Sequence, residues 1–525
     1  MRCTFGFLLL STALGCAAPP AAPSNVVLTT PFVSKLRVDW QDNSNNEAGF
    51  EIAYRVNTTG AFSSIGTVSA DTIFLDLNGA APQTTYQFQV RSFLGPVATR
   101  EFSAYAGPST ATTPGFINPP ALLAPILSAT APGAQTLTVG TVPPPLSLSG
   151  LFTDPDVSSA ARLITDLGNL DFVFYPNSAP KTAANFLTYL NSGAFTNTIF
   201  HRSVPGFIIQ GGAFRADATA SPAPTIAAVS NEPSITNVRG TIAMARTSIV
   251  DSATNQFFIN LANNAANLDN QNGGFTVFAR VAGSGMTIAD AIAALSIRSY
   301  STINGALTDT PVRGYPPAYD PNALVRISNV SVIANPLTLS ASSSNPGIVS
   351  VVLTGTNLTF SPIASGTATI TLTATDLDNQ SVTTTFPITV RDGYDVWASQ
   401  QSFAQPADAV ATADPDSDGV LNVVEFALPS PPLASSPSAL LPGLNGNRLT
   451  LTFPLRANLL GTNVVLQSAE SLNGPWTPRW GATDGFPHPW ITSNILTGSQ
   501  ILVTARDPDP APPFRRFLRL KVTRP

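Results

Sequence analysis

Most of the chain is patterned as short β-strands. Apolar and polar residues alternate in runs such as KLRVDW (35–40), TYQFQVRS (85–92) and ATITLTATD (368–376), and turn residues separate these runs. Alternation with a period of two is typical of strands that bury one face. A chain of 525 residues is too long for one hydrophobic core, so we expect roughly three to five domains. The pattern therefore predicts a mainly β, multidomain protein and favours β-sandwiches over helical domains.

Two segments depart from this pattern and predict helices. In residues 179–193 (APKTAANFLTYLNSG) the apolar side chains recur at helical spacing. In residues 287–295 (TIADAIAAL) they do so again, and Thr287 with Asp290 forms a capping-box pattern at the start. Helices that stand among many strands indicate a closed barrel whose ends the helices plug. We therefore assign residues 161–333 to a closed β-barrel with two helices.

The N-terminal part, residues 22–115, predicts a sandwich of its own. It contains WQDNSNNEAGFEI, beginning at Trp40, and Tyr86 opens a later strand where a tyrosine-corner residue would stand. On these residues it resembles a fibronectin type III domain. The resemblance implies a spacer or a binding module, and we favour the spacer. Residues 116–134 are rich in proline and predict a linker.

The segments that flank the predicted barrel are each too small to fold alone. Residues 135–157 contain two strands, and residues 336–390 read as a sandwich that lacks its opening strands. About 55 residues is small for a sandwich without disulfides. Joined, the segments resemble the two halves of a cadherin-like or bacterial Ig-like domain, into which the barrel would be inserted at a loop. The alternative is two unrelated, linker-like segments.

The C-terminal part contains a candidate calcium loop in residues 391–430 and a small β-domain in 445–525. The sequence DPDSDGVLNVVE fits the template D-x-D-x-D-G-x5-E. Oxygen ligands at alternating positions wrap one hard cation, and the candidate ligands are Asp414, Asp416, Asp418, Val420, Asn422 and Glu425. Because Pro415 disfavours a helix before the loop, it resembles dockerin or thrombospondin type 3 repeats, which implies a structural Ca²⁺. The alternative is a solvated acidic turn.

Net charge and the N-terminal sequence indicate where the protein acts and which partners are excluded. The net charge is −5, the isoelectric point is about 5.1 and no Lys/Arg run occurs, which argues against nucleic-acid binding. Residues 1–18 read as a secretory signal that is too short to span a bilayer, and no later stretch predicts a span. Either Cys16 becomes a lipid anchor, or cleavage falls near Ala17 or Ala18. The exported body then has no cysteine for a disulfide. We expect a periplasmic, outer-membrane or extracellular protein.

Four motifs inside the predicted barrel, together with the helix motif APKTAANFLTYLNSG, resemble those of one family. They are IFHRSVPGFIIQGG (199–212), NEPSITNVRGTIAMART (231–247), DSATNQFFINLANN (251–264) and LDNQNGGFTVFARV (268–281). They resemble, in order and spacing, the cyclophilin family of peptidyl-prolyl isomerases. The resemblance covers about a third of the chain.

The activity that this resemblance implies explains the residue types in the motifs. Rotation about an X-Pro bond crosses a barrier of roughly 18–20 kcal/mol, because the amide has partial double-bond character. In the twisted amide the prolyl nitrogen becomes pyramidal and gains a lone pair, which a hydrogen-bond donor stabilises. An apolar pocket must meanwhile hold the proline ring. Such a site needs no nucleophile, metal or cofactor.

The resemblance assigns catalytic roles to four residues. Arg202 would donate to the prolyl nitrogen, and Phe207 and Phe258 would form the proline pocket. Gln210 would orient Arg202 or hold the substrate backbone. Further substrate-binding or supporting roles fall to His201, Ile208, Met244, Ala245, Gln256 and Leu268.

Three positions depart from the family pattern, and one of them lies near Phe275, where eukaryotic relatives often have a histidine. Asn267 stands where eukaryotic relatives have a tryptophan, which puts cyclosporin sensitivity in doubt. Arg246 stands where many relatives have asparagine, and we expect it to affect peptide preference.

The sequence therefore predicts an exported isomerase that acts on proline-containing peptides and on unfolded or extracytoplasmic proteins. An alternative is an adhesin or scaffold whose catalytically weak barrel only binds proline-containing segments. A third interpretation takes Trp476, Trp480 and Trp490 as sugar-stacking residues, although core packing is favoured for them.

Overall fold

The structure is a computed structural model that describes residues 18–484, 488–497, 499–509 and 515–524. The predicted signal segment, including Cys16, lies outside the described residues up to residue 17. The chain divides into two compact units. One comprises Met1–Leu123, Pro155–Pro336 and Leu377–Asn379, and the other comprises Ala124–Asp154, Leu337–Asp376 and Gln380–Pro525. In the described residues, no helix has the length and hydrophobicity that a membrane crossing requires.

The N-terminal part of the first unit is built from two sheets. Strands β1, β2 and β5 form one sheet, and β3, β4, β6 and β7 form the other, with β8 paired to β6. Alternate residues of these strands face a shared core around Trp40, Phe50 and Phe88. The strands are β1 (Ser24–Phe32), β2 (Lys35–Gln41), β3 (Gly49–Val56), β4 (Ser63–Ser69), β5 (Phe74–Asn78), β6 (Thr85–Leu94), β7 (Glu101–Phe102) and β8 (Ala106–Thr112).

Four short strands follow before the barrel begins. They are β9 (Ile126–Leu127), β10 (Gln135–Thr138), β11 (Leu146–Ser147) and β12 (Phe152–Thr153). Strand β9 pairs antiparallel with β12. Residues 116–134, for which the proline content predicts a linker, therefore contain an ordered strand.

A closed eight-stranded barrel forms the rest of the first unit. Its order is β13-β14-β19-β17-β18-β16-β15-β22, and β22 closes it against β13, while β20 and β21 pair outside it. The strands are β13 (Ala160–Thr165), β14 (Gly168–Phe174), β15 (Thr198–Val204), β16 (Ile208–Arg215), β17 (Thr241–Met244), β18 (Phe257–Asn260), β19 (Val277–Val281), β20 (Ser296–Arg298), β21 (Thr310–Val312) and β22 (Arg326–Ile333). The predicted closed barrel is thus present.

Both predicted helices are present beside the barrel strands. Helix α1 (Pro180–Asn191) buries Phe186 among the aromatic side chains of the barrel core. A four-residue helix, α2 (Ala265–Leu268), follows β18. Helix α3 (Gly285–Ala293) starts two residues before Thr287, so the predicted capping box is wrong. Asp290 instead forms an ion pair with Arg239 at 2.6 Å.

In the second unit, strands from before and after the barrel share one core. Strand β10 pairs parallel with β27, and β11 pairs antiparallel with β25. The later strands are β23 (Thr338–Ser343), β24 (Val349–Thr354), β25 (Asn357–Pro362), β26 (Gly366–Thr375) and β27 (Ser381–Arg391). Within the barrel, Ala160 of β13 is paired with Ile333 of β22. The first and last residues of the barrel therefore lie close together, as is required of a domain inserted into a loop.

The C-terminal part of the second unit begins with two short helices, α4 (Gly393–Ala398) and α5 (Asn422–Ala427). Two sheets follow, with orders β28-β29-β33-β32 and β31-β30-β34. Their strands are β28 (Leu441–Asn445), β29 (Arg448–Arg456), β30 (Asn463–Ala469), β31 (Thr477–Gly481), β32 (Ile491–Thr497), β33 (Gln500–Arg506) and β34 (Phe517–Thr523). Trp480 is buried in their shared core, so it is not a surface for sugar stacking.

Candidate active site

Strand pairing in the barrel brings the predicted catalytic residues together. Arg202 of β15 is paired with Gln210 of β16, and Gln210 is paired with Phe258 of β18. Directly paired residues place their side chains on the same face of a sheet. The three side chains border a pocket of about 350 Å³. The residues around this pocket are Arg202, Phe207, Ile208, Gln210, Ala245, Arg246, Phe258, Asn267, Leu268, Gln271 and Phe275.

Arg202 is one of two arginines that border the pocket, with Arg246 as the other. The Arg202 side chain is about one-third exposed, at 36%, and its Nε lies 3.9 Å from Oδ2 of Asp309. The backbone of Asp309 is held near β15, because its carbonyl accepts a hydrogen bond from the Ser203 N–H at 2.8 Å. At this distance the two groups form a partly exposed ion pair, which contributes little to holding the guanidinium, and Arg202 remains on the border of the pocket. Sequence analysis missed Asp309, which is remote along the chain and lies in no motif.

The two predicted glutamines act as a pair. The Gln210 side-chain amide donates to Oε1 of Gln256 at 2.9 Å. Gln256 does not line the pocket among the described residues and reaches it through Gln210. This hydrogen bond orients the Gln210 amide beside Arg202.

The apolar wall is held by backbone hydrogen bonds. The carbonyl of Phe207 accepts from the Leu261 N–H at 2.8 Å and from the Asn264 side-chain amide at 2.9 Å. Phe258 meets the ring of Phe275 edge-on, with 5.8 Å between ring centroids. An apolar cleft of this size beside a guanidinium fits a small ring whose amide nitrogen must receive a hydrogen bond.

Two predicted substrate-binding residues lie away from the pocket. His201 occupies an irregularity in the pairing of β15 with β16, between Phe200 and Arg202, and it does not line the pocket in the described structure. Its ring is 3% exposed and meets Phe214 edge-on at 5.1 Å. Burial lowers the pKa of His201 to about 4, with a contribution from the charge of Arg202, so the ring is neutral at pH 7. Met244 is buried in the barrel core. Neither side chain is among the residues that border the pocket in the described structure.

Comparison with known proteins places this barrel in a family. Residues 160–312 match the family described as cyclophilin type peptidyl-prolyl cis-trans isomerase/CLD. The chain is 45% identical over 150 residues to a peptidyl-prolyl cis-trans isomerase of Acinetobacter baylyi, a match that covers 27% of this chain and 76% of the relative. The chain belongs to the cyclophilin-type peptidyl-prolyl cis-trans isomerases.

A second curated relative gives the same result. Peptidyl-prolyl cis-trans isomerase A of Dickeya dadantii is 46% identical over 143 residues, which are 26% of this chain and 71% of the relative. A crystal structure of a Cryptosporidium parvum cyclophilin type isomerase, in the presence of the dipeptide ala-pro, is 26% identical. It covers 34% of this chain and 99% of that chain, with a TM-score of 0.24. The protein is a cyclophilin-type isomerase, an enzyme class that needs no cofactor for catalysis.

Arg246, one of the departures from the family pattern, has a defined place beside this pocket. Its guanidinium lies over the ring of Phe275, 4.4 Å from the centroid. It donates hydrogen bonds to the carbonyls of Asn272 at 2.9 Å and Gly274 at 2.8 Å. Burial lowers the pKa of Arg246 below its usual value. Arg246 therefore holds the loop that carries Phe275.

A separate cluster of carboxylates lies at the predicted calcium loop. Oxygens of Asp414, Asp416 and Asp418 lie within 4.8 Å of one another. The backbone N–H of Gly419 donates to Asp414, and Gly419 has a φ of +86°, which favours glycine. The N–H of Val420 donates to Asp418 at 2.9 Å. The loop thus wraps around its own acidic side chains.

Two further side chains of the loop are fully buried. Neither carboxylate oxygen of Glu425 accepts a hydrogen bond from the residues that the structure describes. Burial, followed by the charges of Asp416, Asp418 and Asp414, raises the pKa of Glu425 to about 8. Asn422 donates to two backbone carbonyls, but within the described chain its Oδ1 has no donor. Buried oxygens without partners are costly unless a cation or proton satisfies them.

Proposed function

We propose that this protein is an exported isomerase that rotates X-Pro bonds in peptides and in folding proteins outside the cytoplasm. The observation that carries the proposal is the row of Arg202, Gln210 and Phe258 along one side of a pocket with apolar walls. Export rests on the signal pattern in residues 1–18, with Cys16 as the candidate lipid anchor.

The proposed mechanism uses only side chains of the pocket. Phe207, Phe258 and Leu268 hold the proline ring while the amide twists. Arg202 donates an N–H to the prolyl nitrogen as the nitrogen becomes pyramidal, an interaction that the planar amide cannot make well. Gln210, oriented by Gln256, donates to or accepts from the substrate backbone. Because the donor acts more strongly on the twisted state than on either planar state, it lowers the barrier in both directions.

The surrounding modules are proposed to be spacers. In the N-terminal sandwich the backbone N–H of Ala81 donates to the Tyr86 hydroxyl at 2.8 Å, which supports a fibronectin type III assignment with its tyrosine corner. The pairing of β10 with β27 supports an Ig-like or cadherin-like sandwich that is interrupted by the barrel. Such modules would hold the enzyme away from the cell envelope.

The proposed function is tested on a protein whose refolding is limited by a prolyl bond. We expect the exported chain to accelerate the slow refolding phase, and the Arg202→Ala variant to lose most of this effect. In cells, the protein should be found outside the cytoplasm by fractionation. Turnover of short peptides without any acceleration of refolding would contradict the folding role, and a cytoplasmic location would contradict export. Peptide binding without turnover would favour the adhesin or scaffold alternative.

We also propose that the loop 414–425 binds a structural Ca²⁺, in the manner of dockerin or thrombospondin type 3 repeats. The ligands would be the carboxylates of Asp414, Asp416 and Asp418, the side chains of Asn422 and Glu425, and the carbonyl of Val420. The buried and unpartnered oxygens of Glu425 favour this proposal over a solvated acidic turn. A solvated turn does not require a fully buried carboxylate beside three others.

Calcium should raise the thermal stability of the metal-free chain. At about 100 times the dissociation constant, one site stabilises the folded state by about 2.7 kcal/mol. Glu425→Gln should abolish most of the heat of Ca²⁺ binding in isothermal titration calorimetry. The matched control is Glu470→Gln, because Glu470 is a largely exposed glutamate of the same unit. Absence of any calcium-dependent shift in the unmodified chain would refute the site.

A further inference from the structure

One wall of the isomerase pocket is a loop whose tip consists of residues with positive φ. This wall loop, residues 267–275, contributes Asn267, Leu268, Gln271 and Phe275 to the pocket. At its tip, the three residues from Asn272 to Gly274 have φ values of +49°, +82° and +81°. Successive left-handed residues, two of them glycine, lose much conformational entropy when they are ordered. Contacts from outside the wall loop therefore help to order its tip, beside the internal hydrogen bonds from the Gly274 N–H to the Gln271 carbonyl and from the Phe275 N–H to the Leu268 carbonyl.

The barrel supplies part of this support. Asp269 accepts hydrogen bonds from the backbone N–H and the side-chain amide of Asn237, each at 2.9 Å. Arg246 holds the carbonyls at the tip, as described above. Asn231 donates its side-chain amide to the carbonyl of Gly274 at 2.9 Å.

The N-terminal sandwich supplies the rest. The Ser34 hydroxyl, in the turn between β1 and β2, donates to the carbonyl of Gly273 at 2.5 Å. Ser34 is buried, and the N–H of the preceding Val33 donates to the carbonyl of Pro233 at 3.2 Å. A Cβ at Gly273 would lie 3.2 Å from the Ser34 hydroxyl and 3.5 Å from Cα of Gly79. The sandwich thus packs directly against the tip of the wall loop.

A second link reaches the same loop through Asp251. The Asn78 side-chain amide, at the end of β5, donates to Oδ2 of Asp251 at 3.1 Å. Oδ1 of Asp251 accepts the backbone N–H of Asn231 at 2.8 Å. Since Asn231 in turn donates to Gly274, both contacts of the sandwich converge on the loop tip.

The segment that follows the sandwich adds further contacts. We call the contacts of Ser34, Asn78 and residues 116–117 around the wall loop the clamp. Ile117 pairs with Ile235, because the Ile117 N–H donates to the Ser234 carbonyl at 3.0 Å and the Ile117 carbonyl accepts from Thr236 at 2.9 Å. The Phe116 ring lies against Gly274, where a Cβ would come within 2.9 Å of it.

We infer that the N-terminal sandwich is a structural part of the isomerase pocket, with Ser34 and Asn78 as positioning residues that hold the wall loop. This inference rests on the pocket assigned under the proposed function. Because the wall loop grips the proline side of the substrate and Arg202 lies on β15, weakening the clamp affects binding more than turnover. Loss of the clamp should therefore raise KM and leave kcat nearly unchanged.

The test compares Ser34→Ala, Asn78→Ala and the double variant with the unmodified chain. Each lost hydrogen bond should raise KM for an Ala-Pro peptide by roughly two- to ten-fold. Hydrogen–deuterium exchange should accelerate in peptides that cover residues 267–276. Ser34→Thr keeps the hydroxyl, so its KM should equal that of the unmodified chain. Ser63→Ala, on the exposed strand β4, is the matched control and should change neither quantity.

The outcomes separate this inference from the pocket assignment. An unchanged KM and unchanged exchange in a folded double variant would overturn the clamp, whereas Arg202→Ala would still abolish turnover. A raised KM without faster exchange in the wall loop would also overturn it, because the effect would not act through the loop. Full activity of Arg202→Ala would instead overturn the pocket assignment itself.

Discussion

Arg202→Ala is expected to lower kcat/KM for an Ala-Pro peptide by about 10²–10³-fold, as the loss of one preorganised donor does at comparable sites. In the proposed mechanism Arg202 donates to a lone pair that exists only in the twisted amide, so its removal should affect the transition state more than binding. The decrease should therefore appear in kcat with little change in KM. Arg202→Lys keeps the charge but not the planar donor geometry, and it should retain only part of the activity.

The control for this prediction is Arg162→Ala. Arg162 lies on β13, is 40% exposed and forms an ion pair with Asp171 at 2.7 Å, so it matches Arg202 in exposure and in partner type. It does not border the pocket in the described structure. Its removal should leave kcat and KM unchanged. A fully active Arg202→Ala variant would mean that the guanidinium does not act on the prolyl nitrogen.

Phe186→Ala is expected to destabilise the barrel by about 3–5 kcal/mol, because it leaves a cavity in a closely packed core. Phe186 of α1 is fully buried, and its ring lies 4.7 Å from Phe195, 5.0 Å from Phe278 and 5.4 Å from Phe257, measured between centroids. Phe257 precedes the pocket residue Phe258 in β18. Removal of the Phe186 ring should therefore loosen this strand behind the pocket. Phe186→Leu fills part of the space and should cost less.

Isomerase activity is a suitable probe for this effect. The five tryptophans of the chain lie outside the barrel, so tryptophan fluorescence would follow the other domains. The urea concentration at which activity is half lost should fall strongly in Phe186→Ala. Val332→Ala, which changes an exposed position of β22, should leave it unchanged. An unaltered midpoint in Phe186→Ala would show that α1 does not close the barrel core.

Local sequence determined the elements and the chemistry of the catalytic domain. The period of two predicted the strands, and the apolar spacing in 179–193 predicted α1, because burial of one face leaves a repeat in the sequence. The motifs around Arg202, Gln210 and Phe258 indicated the family, which the comparisons confirm. The spacing of Asp414, Asp416 and Asp418 likewise predicted a candidate calcium loop, because these proposed ligands lie within a few residues of one another.

Only the tertiary structure decided the contacts between distant parts of the chain. Asp309 beside Arg202 and Ser34 against Gly273 each join residues whose sequences carry no sign of one another. The burial of His201 is a related case, because the same strand pattern fits either face until the barrel closes. Hydrophobic periodicity records whether a position is buried, but not which partner buries it, and that choice depends on the path of the whole chain.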